Sequence, residues 1–367
     1  MVKLKLVNVS KKIRKEQVLR GITFETGDKE LFVVAGPPGA GKTTLLKIIA
    51  GLVPLDEGEV YIGDELVNYK LPAEREIGMV FETPAVYPNR TAFENIAFPL
   101  KVKKLRDTEI KKRVYEVAEF LQITHLLDRK PHTYSGGELQ RVALARVLVR
   151  SPRILLLDEP LKNLDAKIRE RMRVELKRLQ REFGITMIFT THDQLEAVAI
   201  GDRIAVMNKG VIEQVDVPEK TYHYPKTVFV GRFIGSPSMN LVDCTLRETD
   251  GRWVLDATEF SIDVTHLKDR ILANSTGPEL ILGVRPPDIS VEESPVSKQS
   301  IEAVLELTEA LGSEKIAELR IGSIILSALV PPTFDLSMGE KAYIEFKREK
   351  LYLFDKKTEN LIICGLI

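Results

Sequence analysis

Hydrophobic positions along the chain change period twice, and each change predicts a different architecture. Up to about residue 230, short apolar runs recur between charged stretches: Leu31–Ala35, Ile154–Leu157, Thr186–Thr190 and Ile204–Met207. Such unbroken runs suit strands covered on both faces, and their alternation with helical patterns predicts a parallel sheet flanked by helices. Between Pro88 and Arg150 the strand signal stops, and the spacing predicts helices over 107–121 and 138–149. This reads as a helical subdomain, about residues 84–150, inserted into the sheet. After Gly235-Ser-Pro-Ser the pattern becomes short alternating runs broken by Gly, Pro and Asp, which predicts a smaller, mainly β, barrel-like domain. The expected division is an α/β domain over 1–235 and a β-rich domain over 236–367.

Charge and cysteine usage narrow the function. The 53 Lys+Arg and 53 Asp+Glu cancel, so no global field gathers nucleic acid or anionic lipid, and any anion site must be local. Cys244 and Cys364 are the two cysteines; they argue against a disulfide framework and fit a reducing cytosol. The opening Met1-Val-Lys-Leu-Lys-Leu alternates like a strand, so no signal peptide is expected. Apolar stretches such as Ile324–Val330 fall far short of the roughly 20 residues that span a bilayer, so any membrane path would come from partners.

Three segments carry candidate chemistry. Gly36, Pro37, Pro38, Gly39, Ala40, Gly41, Lys42 and Thr43 match G-x-x-x-x-G-K-[ST] between an apolar strand and the amphipathic run that starts at Thr44. Glycines let backbone amides curl around phosphate oxygens, the following helix presents its positive end, Lys42 adds a point charge and the Thr43 hydroxyl is a magnesium ligand. Asp158 and Glu159 end a buried strand, where adjacent charges are costly unless a cation or a reaction uses them. Asp158 suits the ion and Glu159 the attacking water, although an acidic helix cap is the plainer reading of either. His192 follows a strand and is placed at the sheet edge within reach of a γ-phosphate. Ser135, Gly136, Gly137 and Glu138 fit a helix capping box, yet they also leave amides open as a second anion site.

Taken in order, the phosphate loop, the Ser-Gly-Gly element, the Leu-Leu-Leu-Asp-Glu-Pro strand, Leu164-Asp165 and Thr191-His192-Asp193 resemble an ABC ATPase. The segments Phe233–Asn240 and Gly283–Asp288 are similar to the carboxy-terminal regulatory domain of maltose-importer-type ATPases, and Val86–Leu100 to the same branch. The resemblance implies a P-loop fold with an OB-like regulatory domain, a magnesium-dependent ATPase and a homodimer or paired ATPase subunit. In that arrangement Ser135, Gly136, Gly137 and Glu138 act in trans, and Asp165 lies at the dimer contact. It further implies transmembrane permease subunits, gripped through Pro84, Val86, Tyr87 and Phe93, and indirectly an extracytoplasmic solute-binding protein. The expected location is the cytoplasmic face of the membrane, with no nucleic acid partner. Carbohydrate is the implied solute; importers of polyamine, sulfate, iron or phosphoester use similar subunits, and a nucleic-acid-acting ABC ATPase is the alternative class.

The chain departs from this family's pattern at several positions. Ile13 stands where an aromatic residue usually faces adenine, so weakened base discrimination is expected. Glu82 replaces the glutamine expected near magnesium, and a carboxylate there ligates the ion but adds charge. Lys162 occupies a position where a small residue is common.

Overall fold

The computed structural model describes residues 3–297 and 299–366, and the chain divides into two compact units, Met1–Pro218 and Glu219–Ile367. Two sheets build the first unit. In the larger, six strands lie in the order 211–216, 203–208, 31–35, 186–191, 154–158 and 77–80. All neighbouring pairs are parallel except the edge strand 211–216. Every residue of Leu31–Ala35, Ile154–Asp158 and Thr186–Thr191 is buried, as strands with both faces covered require. The smaller sheet, in the order 16–25, 4–13, 57–62 and 65–66, is antiparallel. Helix Lys42–Ile49 joins the sheets: its Leu45, Leu46 and Ile49 share a core with Leu4 and Leu6 of one and Phe32 and Ile188 of the other.

Parallel register sets up the functional edge. Ala35 lies beside Thr191, and Asp158 beside Thr190, so the segments after three strands emerge at the same end of the sheet.

The inserted helices are Ala92–Val102, Asp107–Phe120 and Gly136–Leu148. The first opens on a reciprocal cap between Thr91 and Glu94 and the third on one between Ser135 and Glu138, supplying partners for amides that a first helical turn leaves unbonded. Asn95, fully buried, accepts from the Tyr87 amide at 2.7 Å, and its Nδ2 lies 2.9–3.1 Å from the carbonyl oxygens of Tyr87, Arg90 and Thr91. One side chain thereby fixes the loop that leads into the first helix.

The second unit holds two antiparallel sheets over one apolar core. One runs in the order 261–263, 252–256, 240–249, 279–284, 352–355 and 361–364, the other in the order 289–292, 341–346, 301–310, 315–321 and 324–330. The unit boundary differs from the expected 235/236. Helix Val228–Phe233 and the turn before it pack on the β unit: the Val228 amide donates to Glu359 O at 2.9 Å, and the Leu361 amide to Lys226 O at 2.9 Å. Arg285 is buried, donates to Ile234 O at 2.7 Å and to Tyr222 O, and lies 3.8 Å from the Tyr222 ring centroid. Segment 219–234 therefore belongs to the carboxy-terminal unit, which helical periodicity alone does not reveal.

Candidate active site

The loop Gly36–Gly41 is held open by its glycines. Gly39 and Gly41 adopt φ of +81° and +105°, and a Cβ on Gly36 would sit 2.1 Å from Met207 O, so the loop packs against strand 203–208 without room for a side chain. Gly41 caps helix Lys42–Ile49. The buried Lys42 ammonium lies 2.8 Å from Gly36 O and 3.1 Å from Pro37 O, reaching back over the loop. Thr43 Oγ1 donates to Asp158 Oδ1 at 3.0 Å, which brings the two expected ion ligands together.

The adjacent carboxylates are driven in opposite directions. Burial pushes the Asp158 carboxyl above its ordinary value, against hydrogen bonds from Thr43 and Thr190. Burial is also the largest influence on Glu159 and pushes it up, but His192 and Lys42 together outweigh it and hold Glu159 below the usual range. The geometry accounts for this: Glu159 Oε1 lies 3.2 Å from Lys42 Nζ, and Oε2 lies 2.8 Å from His192 Nδ1 and 3.6 Å from Lys162 Nζ. Glu159 itself has φ +44°, a left-handed conformation uncommon outside glycine, held by its amide donating to Thr190 Oγ1 at 3.1 Å.

Two supporting residues escape a reading by motif. Thr190, fully buried, donates to Asp158 Oδ1 at 3.0 Å while accepting from the Glu159 amide, so one hydroxyl bonds the Asp158 carboxylate and the Glu159 backbone. Paired threonines ending an otherwise apolar buried strand are the signal for it. Arg169 donates to Leu164 O at 3.1 Å and lies 3.7 Å from both Asp193 Oδ2 and Glu196 Oε1. It ties the Asp165 turn to the His192 turn; Glu196, which burial pushes up, also accepts from Thr191 Oγ1 at 2.6 Å.

Other sequence-derived candidates stand apart from this cluster. Ile13 ends strand Leu4–Ile13 and is 44% exposed. Asp165 caps helix Ala166–Phe183 through the Ile168 amide at 3.0 Å. Ser135 and Glu138 bond each other, with His125 3.3 Å from Glu138, and none of the three reaches Lys42 or Glu159 through a described contact. The Glu82 carboxylate lies against Lys162 Nζ at 2.8 Å rather than joining Thr43 and Asp158.

Beyond Glu82 the same loop borders an apolar groove of about 420 Å³, lined by Val80, Phe81, Ala85, Phe98, Pro99 and Val147 among others. Pro84, Val86, Tyr87 and Phe93 do not line it. Tyr87 instead supports its wall, packed edge-on against Phe98 at 4.9 Å and covered by the Arg146 guanidinium at 4.2 Å.

The family model described as "ABC transporter" matches residues 19–162, and that described as "MalK OB fold domain" matches residues 235–289. The chain is 43% identical to the trehalose/maltose import ATP-binding protein MalK of Thermococcus litoralis, over 99% of this chain and 100% of that one. It is 40% identical to the oligosaccharides import ATP-binding protein MsmX of Bacillus subtilis (94% of this chain, 95% of that protein). Identity is also 40% to the sn-glycerol-3-phosphate import ATP-binding protein UgpC of Ralstonia nicotianae (99% of each). Among solved structures, a dimeric ATP-binding cassette in a post-hydrolysis state bound to ADP and Pi superposes with TM-score 0.53 at 34% identity, covering 59% of this chain and 98% of that one.

Proposed function

The chain belongs to the ABC transporter family, as an ATP-hydrolysing import subunit with a MalK-type OB fold domain, and from that premise we propose that it drives carbohydrate import through membrane permease subunits. The observation that carries this reading is the loop 81–91, which meets the catalytic turn through Glu82 and lines the apolar groove through Phe81 and Ala85. A helix of a membrane partner seated in that groove would sense the state of the site through one short segment. Relatives named for trehalose/maltose and for oligosaccharides support carbohydrate as the solute. An extracytoplasmic binding protein would deliver it, and this chain would work from the cytoplasmic face.

Each residue near the phosphate loop has a task in this reading. Amides of Gly39 to Thr43 and the Lys42 ammonium bind the β- and γ-phosphates. Phosphate competes with Glu159 for Lys42, and the carboxylate so released accepts a proton from the attacking water while His192 holds Oε2 in place. The donor set fits a hard divalent cation: Thr43 Oγ1 and Asp158 Oδ1 stand 3.0 Å apart. Magnesium keeps waters and substrate phosphates in its shell, so a site with two protein oxygens suits it. Bound there, magnesium would neutralise charge on the phosphates. Ser135, Gly136 and Gly137 have no described contact with Lys42 or Glu159 of their own chain; in this reading they act across a homodimer, closing over ATP held by the other subunit.

Phosphate release by the purified protein with ATP and magnesium tests the assignment. Glu159→Gln should bind ATP as the wild type does, release phosphate at least about 100-fold more slowly and accumulate as an ATP-dependent dimer in light scattering. A variant that still turns over at the wild-type rate would remove Glu159 from the mechanism.

A further inference from the structure

Two of the positions at which this chain departs from its family's usual residues touch each other. Lys162 Nζ lies 2.8 Å from Glu82 Oε1, and the neighbouring Asn163 Nδ2 lies 3.5 Å from Glu82 O, so the turn after the catalytic strand holds Glu82 by side chain and by backbone. The same ammonium lies 3.6 Å from Glu159 Oε2. Its own amide donates to Glu159 O at 3.2 Å, which closes the turn and aims the side chain back across it. Charges then alternate in one line: Glu82, Lys162, Glu159, Lys42. Without Lys162 the Glu82 carboxylate would lose its described cationic partner, and Glu159 Oε2 would keep His192 but lose the ammonium beside it. Without Glu82 the Lys162 ammonium would have Glu159 as its remaining carboxylate partner and would compete with His192 for Oε2.

We propose that Glu82 and Lys162 act as an obligate pair, in which Lys162 is a positioning residue that neutralises Glu82 and restrains the Glu159 carboxylate on the side opposite Lys42. The pair is 41–43% exposed, so its contribution to stability is small. Its effect is geometric: it joins the loop that borders the apolar groove to the carboxylate that prepares the attacking water. A movement of loop 81–91 is thereby transmitted to Glu159 through one ammonium group. The inference rests on the reading of Glu159 as the base.

A double-variant cycle tests it, with Lys162→Ser, Glu82→Gln and the two combined. Each single variant should lower kcat about fivefold or more, and the combination should return to within about twofold of wild type. Lys162→Arg, which keeps the charge, should stay near wild type. Melting temperatures within about 2 °C of one another would keep these losses distinct from unfolding. A second readout needs no turnover: fluorescence titration of a nucleotide analogue at graded magnesium. Lys162→Ser should shift the magnesium concentration for half-maximal nucleotide binding about threefold or more, and adding Glu82→Gln should reverse the shift. Single effects that simply multiply in the combined variant, in both readouts, overturn the pair. Full turnover by Glu159→Gln would instead overturn the base assignment, while a reversed magnesium shift would still establish the pairing of Glu82 with Lys162.

Discussion

Ile13 ends its strand with nearly half of its surface open to water. An aromatic ring at this position would offer adenine a face that Ile13 lacks. Ile13→Tyr should tighten ATP binding by about 1–3 kcal/mol and raise the preference for ATP over GTP, read by competitive nucleotide titration. Unchanged affinity would place the base elsewhere. What was legible in sequence is the convergence of candidates where a motif dictates backbone shape: Lys42, Thr43, Asp158, Glu159 and His192 all arrive at one sheet edge because their segments follow parallel strands. Thr190 belongs to no motif, and the threonine pair that marks it leaves the period of the buried strand unchanged. The contact of Glu82 with Lys162 was not legible, because two loops distant in sequence meet only through the order of the strands.

Elements transmit what these residues do. The loop 84–91 has no regular structure of its own, and Asn95 substitutes for it by bonding four backbone groups from the first turns of helix Ala92–Val102. Asn95→Ala strips a buried amide and leaves the Tyr87 amide and nearby carbonyls without that partner. A loss of about 1–3 kcal/mol in urea unfolding is expected, together with weaker assembly with permease subunits. Full assembly by a correspondingly destabilised protein would detach the loop from partner binding. The 3.6-residue period placed helices over 107–121 and 138–149 but not Ala92–Val102, and Gly136–Leu148 begins where the capping box announces it. The groove was not readable. Tyr87 and Phe93 are expected contact residues in sequence; both are half-buried and pack on Phe98 and Tyr115 respectively, while the groove wall includes Phe98 and Pro99.

At the scale of the molecule, a change of pattern near residue 235 marks the onset of β structure, whereas the compact unit begins at Glu219. The sixteen or so residues between are helical in period yet belong to the β unit, held there by the buried Arg285 and by bonds to segment 359–361. That arrangement has a practical outcome for cutting the gene. A fragment ended at residue 235 would keep the segment around Val228, Val230 and Ile234, all buried in the whole chain, but discard the surface that covers it. Such a product should aggregate, whereas one ended at Pro218 should remain monodisperse in size-exclusion chromatography, since its own core is intact. The same arithmetic of covered surface makes residues 219–366 the natural cargo for grafting this β-rich module onto another protein, with helix Val228–Phe233 travelling as part of the module and not as a disposable tether.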